Sequence, residues 1–189
     1  LVVDPTISSF NNIIAKGPNC LTSLFQIIIN WRSNKFGFVS DIKKMFNSVR
    51  LTPEMYKFSL YLFSTSLDPS EDIEIWANKT LMYGIRSASG QATCALRKTA
   101  DIKEKEFPLA SKIIKETTYM DDSSGSTTSK EMMDKTVEEL TKLLPYGGFT
   151  LKVVTKSGED PTENASNDGV ATSFAGYKWK SKDDKMMFK

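Results

Sequence analysis

Phe38-Val39-Ser40-Asp41 runs from an apolar strand directly onto a carboxylate. An acid at the end of a core strand is costly unless a cation or a hydrogen-bond donor meets it. About eighty residues later, Tyr119-Met120-Asp121-Asp122 repeats the pattern: an apolar, aromatic pair, two acids, then small polar residues. Close carboxylates repel, which raises their pKa until cations arrive. A fold that joins the two segments places three carboxylates from two strands at one site. Such a group suits two Mg²⁺ ions roughly 3.5–4 Å apart. Asp41, Asp121 and Asp122 are therefore the candidate metal ligands. The plainer alternative is three separate solvated or capping acids. Asp183-Asp184 supplies an internal comparison: it lies between lysines in a polar turn and reads as solvated.

Composition narrows the chemistry. The 189 residues contain no histidine, which excludes Ser-His-Asp and Cys-His nucleophilic machinery and any His-based zinc or iron site. The two cysteines, Cys20 and Cys94, are far apart in sequence, so neither a CxxC redox motif nor a Cys₄ zinc site is present. What remains is carboxylates, hydroxyls, lysines and hard cations with oxygen ligands. A hydrophobic fraction of 40% is ample for one core in one domain. Net charge is +2, but residues 1–60 carry 7 basic and 3 acidic side chains, whereas residues 121–189 carry 10 and 12. A basic front end suits a polyanion, although on charge alone ordinary surface variation is the better explanation. No run approaches the roughly 18 apolar residues of a membrane span, so no membrane partner is expected. The chain opens at Leu1 and reads as an excerpt of something longer.

Periodicity predicts an α+β fold with antiparallel hairpins. Leu21, Leu24, Phe25 and Ile28 predict a helix over 20–33. Residues 36–41, 57–64 and 73–76 read as strands, and 87–106 as a helix capped by Ser87 or Ser89. Residues 113–119 lead into a turn over Asp121–Gly125, the tip of a hairpin. Ser129 caps a helix with an apolar face of Met133, Val137, Leu140 and Leu144, which Gly147-Gly148 ends. Phe149–Val154 reads as a strand, 156–169 as a loop, and Ser173–Trp179 with Lys185–Phe188 as a second hairpin.

These segments, taken in order, resemble the catalytic core of a reverse transcriptase over almost the whole chain. The motifs are Lys16-Gly-Pro-Asn-Cys-Leu21, Ser40-Asp41-Ile-Lys-Lys-Met-Phe46-Asn-Ser-Val-Arg50, Tyr83-Gly84-Ile-Arg-Ser-Ala-Ser-Gly90 with Ala95-Leu-Arg-Lys98, Tyr119-Met-Asp-Asp122, Gly147-Gly-Phe-Thr-Leu-Lys152 and Ala175-Gly-Tyr-Lys-Trp179. The pattern is most similar to the Pao/BEL class of LTR retrotransposons.

The resemblance implies a right-hand polymerase palm, a ferredoxin-like antiparallel sheet with helices on one face, plus part of the fingers. Residues 1–20 and 50–84 would be mostly fingers; 21–49 and 85–189 would be mostly palm, ending in a primer-grip-like hairpin. It implies RNA-directed DNA synthesis from dNTPs on a primed RNA or DNA template, with two Mg²⁺ that Mn²⁺ can replace. Asp41 and Asp121 would be the principal ligands and Asp122 would complete the site. The backbone amides of Ile42, Lys43, Lys44 and Met45 would face the triphosphate. Phe46, five residues after Asp41, would exclude a ribose 2′-hydroxyl by bulk. Tyr83, Gly84 and Arg86 would meet the nascent base pair and template, Tyr119 and Met120 the primer terminus, and Gly176 and Tyr177 the primer strand. Lys152 would protonate pyrophosphate, with Lys156 as its rival.

The chain departs from the pattern in places. Ser89 stands where relatives carry proline, and the basic residue usual four positions before Asp4 falls outside the chain. Thumb, RNase H, protease and integrase are absent, so the rest of a polyprotein is an expected partner, in cytoplasmic particles. A catalytically degenerate, retroelement-derived binding or structural domain is the second reading.

Overall fold

The computed structural model describes residues 9–66, 72–160 and 171–188. Asp4 and most of the 156–169 loop lie outside the described residues. In chain order the elements are α1 (Phe10–Ile13), α2 (Leu24–Trp31), β1 (Phe36–Asp41), α3 (Met45–Ser48), a 3₁₀ turn (Pro53–Phe58), β2 (Leu60–Phe63), β3 (Glu74–Ala77), α4 (Ala88–Lys103), α5 (Pro108–Glu116), β4 (Thr118–Tyr119), β5 (Asp122–Thr127), α6 (Lys130–Leu143), a second 3₁₀ turn (Leu144–Gly147), β6 (Thr155–Lys156), β7 (Thr172–Phe174), β8 (Tyr177–Lys180) and β9 (Lys185–Phe188). The fold is mixed α/β with antiparallel sheets.

The central sheet has strand order β4-β5-β1-β6, antiparallel throughout. Successive residues of a strand face opposite sides, and β1 is apolar on both. Phe38 enters the larger core with Ala92 and Leu96 of α4, Ile114 of α5 and Met133 and Leu140 of α6. Val39 enters a second cluster with Ile27 and Trp31 of α2, Phe174 and Trp179. The sheet is therefore covered on both faces, not only by helices on one: α4, α5 and α6 lie against one, and α2 with the β7-β8-β9 sheet against the other.

Local rules explain most elements. Small residues at Ala88, Ala92 and Ala100, with Leu96, form the buried stripe of α4. Ser129 Oγ accepts from the Met132 N–H at 3.2 Å, capping α6 as expected. Gly148 ends the following turn at φ +76. Trp179 stands edge-on to Trp31, with ring centroids 5.1 Å apart. The β2–β3 hairpin shares no strand with the other sheets and leaves Leu60, Leu62 and Ile75 exposed.

Several expectations are corrected. Lys57 and Phe58 belong to a 3₁₀ turn begun by Pro53, so the strand starts at Leu60. Residues 108–116 form α5, with Pro108 in its first turn, where a missing N–H costs nothing. Asp122–Thr127 is a strand, so the hairpin turns at Met120–Asp121. Phe149–Val154 is not a strand: it pairs through an isolated bridge between Ile42 and Leu151, closed by the Lys43 N–H on Thr150 O and the Lys152 N–H on Asp41 O, while the Phe149 N–H turns back to Leu144 O. Ser173–Trp179 is broken by a turn at Ala175–Gly176 into β7 and β8. Asp184 is exposed but not simply solvated: it accepts from both Arg32 terminal nitrogens, at 2.6 and 2.9 Å, and from Trp179 Nε1 at 2.9 Å.

Candidate active site

The register of β1 and β5 sets Asp41 directly opposite Asp122. Asp121 occupies the turn beside them, after Met120, whose φ of +53 is left-handed. That conformation costs a side-chain-bearing residue free energy, and the surrounding pairing holds it. The Ile42 N–H donates to Asp121 O at 2.7 Å, closing the turn onto the end of β1. The backbone register thus brings the three acids to one end of the central sheet.

A fourth charged group joins them. The Lys152 N–H donates to Asp41 O at 2.7 Å, and Ser40 Oγ donates to Lys152 O at 3.0 Å. This double tie lays residue 152 beside β1, and its ammonium lies 2.8 Å from Asp41 Oδ1. Lys156, the rival, turns away to pair with Asp134 of α6 at 2.5 Å. Asp41 Oδ1 is buried and has no aligned hydrogen-bond donor, so Lys152 satisfies its charge but not its lone pairs. A cleft of about 140 Å³ opens here, lined by Ser40, Asp41, Asp122, Lys152, Thr172 and Phe174 among others. A larger hollow of about 390 Å³ lies elsewhere, between α2, α5, β5 and α6, and contains none of these acids.

The electrostatics follow from burial and crowding. Asp122 is pushed up to about 6, chiefly by burial and further by the charges of Asp121 and Asp41; the Ala175 N–H, 3.4 Å from Oδ2, and Lys152 oppose this. Asp121 is raised for the same reasons, burial first. Lys152 is held above its ordinary value by Asp41. The donor set, carboxylate oxygens alone, has the chemistry that suits a hard divalent cation. Among the described residues, however, no three His, Cys, Asp or Glu side chains converge closely enough to hold one.

The remaining candidates have the following places in the fold, with one correction. The Ile42 and Lys43 amides are not free for a triphosphate: they donate to Asp121 O and Thr150 O. Ile42 and Met45 side chains are core; those of Lys43 and Lys44 are exposed. Phe46 is nearly buried, and the exposed Tyr83 ring lies on it with centroids 4.6 Å apart. Gly84 has φ +87, and Arg86 is exposed. Tyr119 pairs opposite Asp122 and packs on the second cluster. Gly176, at φ +84, forms with Ala175 the turn that precedes Tyr177. Two contributors had no sequence signal. One is the Ala175 amide behind Asp122. The other is Asn11, whose side chain donates to Gly84 O and accepts from the Arg86 N–H, at 2.7 and 2.8 Å, clasping that loop.

A solved structure shares this fold: the foamy viral protease-reverse transcriptase in complex with RNA/DNA hybrid. The match has a TM-score of 0.58 at 16% identity and covers 93% of this chain and 20% of that one. At that identity the likeness concerns fold alone, and the chain spans about a fifth of that protein's length. No protein family profile and no curated protein matches the chain. Among the described residues, no helix is long and apolar enough to cross a membrane.

Proposed function

We propose that this chain is the palm, with part of the fingers, of an RNA-directed DNA polymerase of the Pao/BEL class. The observation that carries the reading is Asp41 opposite Asp122 with Asp121 in the adjoining turn, in a fold shared with a reverse transcriptase. The palm is assigned to 21–49 and 85–189 and the fingers to 1–20 and 50–84. Primed RNA or DNA template and dNTPs are the substrates, and thumb, RNase H and integrase the companion domains.

Two Mg²⁺ (or Mn²⁺) held by Asp41, Asp121 and Asp122 would supply activation of the primer 3′-hydroxyl and neutralisation of the triphosphate and departing pyrophosphate. The protein's own groups then have distinct tasks. Lys152, kept protonated beside Asp41, is in the state needed to give a proton to pyrophosphate. Phe46, with Tyr83 upon it, walls the sugar position and rejects a 2′-hydroxyl. Gly84 lets the backbone approach the new base pair, and Arg86 offers charge to the template phosphates. Lys43 and Lys44 reach the triphosphate with side chains, since the first two amides of that segment are used internally. Met120 meets the primer end, and Gly176 and Tyr177 support the strand behind it.

One observation favours a degenerate nucleic-acid-binding domain: the three acids stand near one another without converging. Primer extension on an RNA template separates the two readings. The protein is extended upstream and downstream to complete the fingers and thumb, and Asp121→Asn runs beside it. DNA product from the parent alone supports the polymerase. A folded protein that binds primer–template without extending it overturns it.

A further inference from the structure

Cys20 and Cys94 are separated by 74 positions, yet their Sγ atoms lie 3.3 Å apart. Cys94 is on the exposed face of α4, and Cys20 is partly exposed in the segment before α2. The approach is built by more than the sulfurs. Gly90, Cys94 and Arg97 recur at helical spacing and form one stripe of α4. The segment runs past Gly90, where a Cβ would make ordinary contact with Pro18 O at 3.6 Å and Lys16 O at 3.8 Å. Arg97 donates to Thr22 Oγ1 at 2.8 Å. Residues 16–22 are thus laid along the helix, with the thiol pair between the backbone passing Gly90 and the Arg97–Thr22 bond.

We propose that Cys20 and Cys94 are a redox-modification site, a reversible disulfide that staples residues 14–23 to α4. A disulfide needs Sγ atoms about 2.05 Å apart, so the thiols must close by roughly 1.3 Å, within the reach of side-chain rotation. The oxidant is a low-molecular-weight disulfide such as oxidised glutathione. The Cys94 thiolate attacks it, forming a mixed disulfide and releasing one glutathione thiolate. The Cys20 thiolate then attacks the Cys94 sulfur, forming the 20–94 bond and releasing the second. Two thiols lose two electrons, and their two protons end on two reduced glutathiones. The staple matters beyond its own segment because Asn11, upstream of it, clasps the Gly84–Arg86 loop. Oxidation holds that clasp in place.

The test needs no catalysis, so its outcome is independent of the polymerase reading. The native chain is equilibrated over a range of oxidised to reduced glutathione, and free thiols are trapped by alkylation and mapped by digestion and mass spectrometry. The proposal expects a linked 20–94 peptide, reversal by excess reduced glutathione, and a melting temperature about 5–15 °C higher in the oxidised form. Limited proteolysis within 9–23 should slow on oxidation. Cys20→Ser and Cys94→Ser, checked for folding by circular dichroism, should both abolish the shift. Three results would overturn the proposal: both thiols still alkylated under excess oxidised glutathione, glutathione retained on folded Cys94 without closure, or linkage forming only in denaturant.

Discussion

Asp41 and Asp122 face each other across adjacent antiparallel strands. Like charges directly opposite in a sheet are destabilising, and here burial adds to the cost. Asp122, pushed up to about 6 from an ordinary value near 3.9, binds its proton more tightly folded than unfolded. Stability from that proton is therefore full below about pH 4 and is lost as pH rises to about 6. Asp122→Asn should escape this loss. In urea melts of metal-free protein the variant should be more stable by about 1–2 kcal/mol at pH 7.5, after discounting for partial exposure, and equal to the parent at pH 4. A constant difference at both values would refute the argument.

Lys152 holds the position a cation would compete for. Removing its ammonium from Asp41 leaves an unpaired acid in the cleft. Lys152→Met should tighten Mn²⁺ binding in calorimetry by about tenfold, the order of one charge a few ångströms away in a partly wet site. Unchanged affinity would mean that Lys152 and the ion do not share Asp41.

The Phe46 and Tyr83 rings meet at a tilt of 51°, so truncating Phe46 opens space at the proposed sugar wall. Phe46→Ala in the active, extended protein should lower discrimination of dNTP over NTP by about 10–200-fold, the range that a steric pocket supplies. Incorporation ratios measured with each nucleotide alone would check this. A ratio equal to the parent's would place the gate elsewhere.

Gly125 lies opposite Phe38, and a Cβ there would stand 2.7 Å from the Phe38 ring and from Ile113 Cδ1. Phe38 is fully buried and has nowhere to move. Gly125→Ala should destabilise by about 1–3 kcal/mol through overpacking, read by denaturant melts. A neutral effect would mean that the core yields more than its packing implies.

Asp184 is held below its ordinary carboxylate value by Arg32, with further help from Trp179. Its contribution is present above about pH 4 and lost as pH falls through the lowered value. Asp184→Asn should cost about 1–2 kcal/mol at pH 7, since the pair is half exposed, and nothing in strong acid. Equal melts at neutral pH would show the cluster to be ornamental.

The strand ending at Asp41, the capped helix α6 and the two hairpins near 120 and 182 were legible because apolar patterning and turn residues there agree, whereas β5 was not, because Asp122-Ser-Ser-Gly125 has the composition of a turn. Helix α5 was hidden: Ile113 and Ile114 run straight into Thr117-Thr118-Tyr119, so its last turn and the next strand read as one extended run. The Lys152 tie, the Asp184 cluster and the thiol pair depend on partners 74–152 positions away. Short-range spacing carries no record of such meetings. The same holds for the Ala175 amide, since any residue supplies an N–H.

The β7-β8-β9 sheet shares no ladder with the central sheet. It is joined to its surroundings by a hydroxyl pair between Thr155 and Thr172, a backbone bond from Gly158 to Ser181, Asp184 gripping Arg32, and the Ala175 amide on Asp122. Beneath those polar links Phe174 and Trp179 seat the sheet on Trp31 and Val39. Its turn sets the Ala175 amide 3.4 Å from Asp122 Oδ2, so the packing of two aromatic rings on one face of the sheet enters the charge balance of the cleft at its end.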